Sequence, residues 1–421
     1  MYGKELNVGI GFATGRKIFQ KLLSTYVYNW KEHGLTENER VRLNLFVAYD
    51  LSYSNTNVTD YTGVSTRVMN LVDDARFIGS TAIRRDMEKL IREGIISEKE
   101  ARLLFGRGYA AKRNAVLLEA IKCGMDYLIF LDDDEYPVAV TKTRATAVWG
   151  GQNVLPTHLK FLREADITNG HHCGYISPIP YIEFNSVLSE EDLRLFIEAI
   201  SNDIINWNKI KSVMDNGGIT WADTGILTSD EAQEVGEING AKFISGANLG
   251  INLKDTTRVL PFYNPPGARG EDTFLSTCLT DHKVLRVPVY TFHDGFSTYH
   301  HLMDGVLPTK LKYIRADSEA IVERFYRACI GWVRYKPLLL YITQRAHYKE
   351  KIAQMNEKLE ATLPKVCRYF GKLSFMNVLS ELKKYDRNVE SHYSQFQGTQ
   401  KAFSKAADYY ANERARRKGM E

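Results

Sequence analysis

The sequence predicts an α/β protein, a mostly parallel sheet flanked by helices with an α-helical C-terminal region appended to it. Three observations predict it. The first fifty or so residues alternate strand, helix and strand. A second helix–strand unit ends in four consecutive carboxylates, Asp132, Asp133, Asp134 and Glu135. Beyond Gly305, apolar residues recur almost wholly at helical spacing.

Taken in order, residues 6–12 alternate apolar with small or polar residues as a strand does, and Ile18, Phe19, Leu22, Leu23, Tyr26 and Trp30 then share one helical face. Residues 43–49 form a second strand ending at Asp50, which closes a β-α-β unit and makes the sheet parallel. Residues 66–105 are expected to be helical, a lid or spacer, with a capping box over Ser97 to Glu100. A Gly-rich turn, Gly106-Arg107-Gly108, opens a helix carrying Val116, Leu117, Ala120 and Ile121 and ended by Gly124. Residues 127–131 are apolar without alternation, as a strand buried on both faces is. From about 138 to 240 the signals are mixed, with an amphipathic helix over 190–207 and a Gly- and Trp-containing loop over 216–225, and this stretch is expected to be an insertion facing the site. A strand over 284–289 then leads to His293. The chain therefore divides into a body, 1–305, and a helical region, 306–421, in which Arg324, Arg327 and Arg334 fall between the apolar positions Ile321, Phe325, Ala328, Trp332 and Tyr335.

With 421 residues, 44% hydrophobic and 25% charged, the chain has room for two or three domains, and disordered, collagenous and membrane-embedded classes are excluded. Cys123, Cys173, Cys278, Cys329 and Cys367 are scattered without CxxC or zinc spacing and are expected to be reduced thiols. No apolar stretch is long enough for a secretory leader or a membrane span, so a cytoplasmic location is expected. Residues 306–421 carry 23 Lys+Arg against 12 Asp+Glu, net +11, which leaves −7 for the body. The basic region suits packing on the body, an anionic membrane surface, an anionic glycan or self-association; no base-reading module accompanies it, so nucleic acid is not an expected partner.

Four carboxylates at the C-terminal end of a buried strand repel one another, and a divalent cation relieves them. Oxygen ligands select Mg²⁺, Mn²⁺ or Ca²⁺, and Asp132 and Asp134 are the candidate pair, since alternate residues leaving a strand point alike. A solvated acidic turn is the plainer reading. Arg107, Lys112 and Arg113, around a Gly-rich turn into a helix, suit a phosphate, although helix-start cations are often only surface residues. Metal on one side and arginine on the other accommodate a diphosphate.

In their order along the chain, these motifs resemble the GT-A-fold glycosyltransferases, a Rossmann-like class, and most closely its large inverting group. The resemblance runs over about residues 6–300 and leaves the tail unexplained. It implies that Phe12-Ala13-Thr14-Gly15-Arg16 is a nucleotide-binding loop, that Asp50 lies near the base, that Ala111-Lys112-Arg113-Asn114 precedes the DxD motif Asp132-Asp133-Asp134, and that Ser245-Gly246-Ala247-Asn248 is a Gly-rich acceptor-side segment. It also implies that Asp272 is the catalytic base beside Glu271, which orients the loop or an acceptor hydroxyl, and that His293 joins Asp132 and Asp134 on Mn²⁺ or Mg²⁺. Phe12, Ala13, Thr14, Arg16, Asp50, Arg107, Arg113, Asp133, Gly246 and Asn248 are then expected around the nucleotide sugar. The implied reaction moves a sugar from a nucleotide-diphosphate donor, UDP favoured over GDP, to a hydroxyl of a glycan, lipid-linked or protein acceptor with inversion, in the cytoplasm or at the inner membrane surface. Glu271 and Asp272 also fit a plain helix N-terminus. A sugar nucleotidyltransferase is the alternative enzyme, although Phe12-Ala13-Thr14 interrupts its Gly-rich start, and a non-catalytic nucleotide-sugar or cation binder is the alternative outside enzymes. Trp207 and Trp221 suit either sugar stacking or packing.

Overall fold

The computed structural model describes residues 5–201 and 207–418. Eleven strands are present among them: β1 (Leu6–Thr14), β2 (Val41–Tyr49), β3 (Asp74–Ile78), β4 (Tyr127–Phe130), β5 (Glu135–Tyr136), β6 (Val138–Lys142), β7 (Ala147–Gly151), β8 (Ile167–Gly174), β9 (Gln233–Glu234), β10 (Leu249–Asn252) and β11 (Val284–His293). The main sheet has the order β3-β2-β1-β4-β10-β8-β11-β5, with β9 on β11, while β6 and β7 form a separate hairpin. Strands β3, β2, β1 and β4 pair in parallel, as do β8 and β11. β10 runs antiparallel to both of its neighbours, and β5 and β9 are antiparallel to β11. The sheet is therefore mixed. The reversal of β10 follows from the chain path: the excursion after β8 leaves from its C-terminal end, and β10 re-enters from that same end, with Leu249 beside Asn169.

The β-α-β opening forms as the pattern predicts. The helix Phe19–Glu32 buries Phe19, Leu22, Leu23, Tyr26, Val27 and Trp30. Phe12 meets Phe19 and Tyr26 edge-to-face, with centroids 5.3 and 6.0 Å apart. The helix Tyr109–Cys123 lies almost wholly buried and ends on Gly124, whose φ of 77° is left-handed. Ser97 and Glu100 form the reciprocal capping box.

Several strands lie where the sequence pattern predicts none, and two of them, β3 and β8, are buttressed in ways the pattern hides. Residues 74–78, inside the stretch expected to be helical, are the edge strand β3; Asp74 and Arg76 face outward there and blunt the edge. Within the expected insertion, β8 lies between β10 and β11. Its Thr168, Asn169, His171 and His172 look like loop residues, but the sheet supplies partners for several of them, as the site below shows. The helix expected over 190–207 is Glu190–Ile200, residues 202–206 lie outside the described residues, and Trp207 begins the next helix, Trp207–Asp215.

The basic region folds as the helices Glu319–Thr343, Tyr348–Phe370, Asn377–Arg387 and Val389–Lys418. The last of these sets Ala402, Phe403, Ala406, Ala407 and Tyr410 into one core with Phe46, Val116, Leu117, Ile121 and Phe130. The tail thus completes one face of the sheet. All five cysteines are free thiols, and among the described residues no helix is long and apolar enough to cross a membrane.

Candidate active site

The strand ends nearest the middle of the sheet converge on the acidic cluster. Asp132, Asp133 and Asp134 leave β4, and their carboxylate oxygens lie within 4.8 Å of one another. The three have different surroundings. Asp133 is saturated by β1 and the loop after it: the Thr14 hydroxyl donates to its Oδ2 at 2.6 Å and Arg16 Nε donates to its Oδ1 at 2.9 Å. Arg16 Nη2 donates to Asp134 Oδ2 at 2.6 Å. Burial opposes the Arg16 charge, but Asp134 and Asp133 together hold its pKa well above the ordinary value.

Asp134 Oδ1 stands 3.4 Å from His293 Nε2 at the end of β11. His293 Nδ1 lies 2.9 Å from the Tyr175 carbonyl, which can only accept, so Nδ1 carries a proton and Nε2 faces the cluster. Burial alone would lower the His293 pKa; the Asp134 carboxylate reverses this and raises it to about 9. Asp132 is pushed up to about 8, by burial first and then by Asp134, with Arg113 acting against both. Among the described residues, Asp132 accepts within hydrogen-bond reach only the backbone N–H of Asp133, at 3.2 Å, and Arg113 Nη2 is 3.9 Å away, so oxygen lone pairs remain for an ion. Asp132, Asp133 and Asp134 are thus close enough to share a divalent cation through their oxygens, with Asp133 tied back by Thr14 and Arg16, and His293 reaches this group through Asp134.

Arg113, 2% exposed, ties the cluster to the opposite wall. Its guanidinium stacks over Phe130 and Phe262, 5.1 and 5.5 Å from the centroids, and Nη1 donates to the Gly246 carbonyl at 2.6 Å. The N–H of Gly246 in turn donates to Asp272 Oδ2 at 3.1 Å, and Asp272 Oδ1 accepts from the Thr273 N–H at 2.8 Å. A Cβ on Gly246 would lie 3.2 Å from Arg113 Nη2 and 3.4 Å from Asp272 Cβ, so the segment is pressed between the two side chains. Glu271 Oε1 is 3.3 Å from Arg113 Nε, which is buried and makes no hydrogen bond. Burial, then the adjacent Glu271, pushes the Asp272 carboxyl up to about 6. Glu271 and Asp272 do open a helix, Glu271–Ser276, so the helix N-terminus and the cleft position coexist.

The cleft has two adjoining lobes. The first, about 740 Å³, is walled by Tyr53 and Tyr109 together with Arg269, Arg324 and Arg327, over the three aspartates. The second, about 450 Å³, holds Asp272, Gly246, His172 and Arg286. Asp132, Arg113, Glu271 and His293 line both lobes and form the waist between them.

Of the residues expected at a nucleotide sugar, Arg16, Arg113, Asp133 and Gly246 line this cleft, and Thr14 lies beneath it, bound to Asp133. Others do not. Phe12 and Ala13 point to opposite faces of β1 and are both buried, 0% and 3% exposed, because the sheet is covered on both sides. Asp50 accepts from the Ser52 N–H and hydroxyl and faces Lys112 Nζ at 3.8 Å, while Arg107 is exposed in its turn; neither lines a lobe. Asn248 belongs to the sheet. At a φ of 49° its amide donates to the His171 carbonyl at 3.1 Å, and its Oδ1 lies 2.8 Å from His158 Nε2, which must donate. Trp207 donates to Glu190 at 3.2 Å and Trp221 packs against the core; neither lines the cleft.

The His158–Asn248 contact carries a stability consequence. His158 is fully buried between Asn248 and the Thr168 hydroxyl, 2.7 Å from Nδ1, and burial pushes its pKa down to about 4. The unfolded chain, near 6.5, binds this proton first as pH falls, so stability present above pH 6.5 is lost between about 6.5 and 4, amounting in full to about 3 kcal/mol. Urea unfolding at pH 7 and 4.5 is expected to show this fall in the wild type and a shallower one in His158→Gln; parallel slopes in the two proteins would exclude the assignment.

Sequence spacing did not single out Tyr53, Tyr109, Arg269 or Arg286 for the cleft. Arg324 and Arg327 are visible in the sequence as cations three apart on one helix face, but only the packing of Glu319–Thr343 turns that face to the aspartates. Arg327 pairs with Glu323 at 2.6 Å. Arg324 Nε is buried without a hydrogen bond, and burial, then Arg16 and Arg269, lower the Arg324 pKa against the pull of Asp134. Such a wall favours an anion. No protein family and no curated protein matches this sequence.

Proposed function

We propose that the protein is a metal-dependent glycosyltransferase of the GT-A type, which transfers a sugar from a nucleotide-diphosphate sugar to an acceptor hydroxyl with inversion. The observation that carries this reading is the two-lobed cleft. One lobe joins a candidate cation site to Arg324 and Arg269, which have no ion-pair partner among the described residues, as a diphosphate requires, and the other holds a carboxylate raised toward neutrality, as a general base requires.

On this reading Asp132, Asp134 and His293 hold Mn²⁺ or Mg²⁺, which when bound offsets charge on the leaving diphosphate. Arg113, Arg324 and Arg269 add fixed positive charge, and Tyr53 and Tyr109 offer flat surfaces to the base. The acceptor enters the second lobe, and Asp272, aimed by the N–H groups of Gly246 and Thr273, takes its hydroxyl proton as the oxygen bonds to the anomeric carbon. The bond from that carbon to the diphosphate oxygen breaks, and its electron pair leaves with the diphosphate. Attack from the lobe opposite the leaving group inverts the centre.

A thermal-shift panel of UDP-, GDP-, CMP- and dTDP-sugars, each with Mn²⁺ and with chelator, tests this. One nucleotide class, UDP by expectation, should raise Tm by roughly 3–6 °C at about 100 Kd, only with metal. No shift with any nucleotide diphosphate would refute the donor site.

A further inference from the structure

The second lobe contains a cation whose charge no side chain among the described residues offsets. Arg286 lies on β11 beside Asn169 of β8, just before the register shift between Arg286 and Tyr290. Its Nη1 donates to Asn169 Oδ1 at 2.6 Å and to the Gly170 carbonyl at 2.9 Å, and Nη2 donates to the Phe243 carbonyl at 3.4 Å. All three acceptors are neutral; they hold the guanidinium in place and leave its charge uncompensated. Among the described residues no carboxylate stands within ion-pair distance of it.

The acids of the same lobe are engaged elsewhere. Glu135 has His172 Nε2 at 3.1 Å and the Thr291 hydroxyl at 2.7 Å. Glu271 and Asp132 face Arg113. Asp272 holds two backbone N–H groups. Burial with no opposing acid lowers the Arg286 pKa to about 10, so it stays charged at neutral pH. A half-buried, fixed and unpaired guanidinium is unfavourable in the free protein and becomes favourable when a ligand brings the anion.

We propose that the second lobe selects an acidic acceptor, a sugar whose carboxylate or phosphate docks on Arg286. The proposal rests on the glycosyltransferase reading for the word acceptor; the anion site itself does not depend on it. Arg286 and Asp272 line one chamber, so a monosaccharide anchored by its acid presents its hydroxyls in the chamber that holds the base. Arg286 acts by positioning and Asp272 by chemistry.

The test is saturation-transfer NMR on the full chain with chelator present and no donor, using methyl β-D-glucuronide, glucose 6-phosphate and methyl β-D-glucoside at matched concentrations. At least one acid should bind about 10-fold more tightly than the neutral glucoside, and which one does so distinguishes carboxylate from phosphate. Arg286→Gln should erase the preference and Arg286→Lys retain part of it. Equal binding of acid and glucoside, no binding of either acid, or a preference surviving in folded Arg286→Gln would overturn the proposal. Should Arg286→Gln fail to fold, raising salt from 50 to 500 mM decides on the wild type: the preference must collapse, and one indifferent to salt overturns the assignment. Because no donor takes part, failure here is separate from failure of the nucleotide panel.

Discussion

Asp272→Asn is expected to lower sugar transfer by about 10²–10⁴-fold while leaving metal-dependent binding of the nucleotide sugar intact. The amide matches the carboxylate in shape and can still accept from the Gly246 or Thr273 N–H, so the loop holds, but it cannot take a proton. Asp272 lines the second lobe and not the first, which is why donor binding should be spared. With its carboxyl raised to about 6, wild-type turnover should fall as pH drops below about 6, because the base is then protonated. The residual activity of the variant should lack that limb. Single-turnover rates from pH 5 to 8, with donor affinity measured in parallel, check both halves; equal rates in the two proteins would remove Asp272 from the chemistry.

Asp132→Asn should have the other large effect, of a different kind. It removes a charge from the acidic cluster while leaving the Arg16 bridges to Asp133 and Asp134 in place. The fold should therefore survive, and the Mn²⁺-dependent rise in Tm with a nucleotide sugar should disappear. Turnover should fall at least about 10³-fold, since a metal supplies several kcal/mol of charge stabilisation and each 1.36 kcal/mol is tenfold. Asp133→Asn is the control: it disturbs Thr14 and Arg16 and should act on stability first. A variant at Asp132 that keeps both the metal-dependent shift and the turnover would dissociate the acidic cluster from any cation.

The site was legible where local pattern and chemistry coincide. An apolar run that stops abruptly at carboxylates announces β4 and Asp132, and a Gly-rich turn before a helix announces Arg113. It was illegible where satisfaction comes from afar. Thr168 and Asn169 of β8 look like loop residues because their partners, His158 and the backbone of 245–248, belong to other segments; polarity hid a strand inside the sheet. Asn248 failed in the opposite direction, since a Gly-rich neighbourhood suggested a pocket while its amide is used up within the core. Arg324 and Arg286 show the third case: an arginine's role depends on which wall its element forms, and spacing along the chain does not carry that information.

The core formed by Phe46, Leu117 and Phe130 is closed by Phe403 and Ala406, synthesised roughly 350 residues after Phe46. At about 5–20 residues per second, a ribosome needs roughly 20–70 s to cover that interval. Until then this face of the sheet lacks the helix that covers it, and Arg324 reaches the first lobe only after roughly 280 of those residues. Premature termination before the last helix therefore leaves this apolar face uncovered and yields an aggregation-prone fragment.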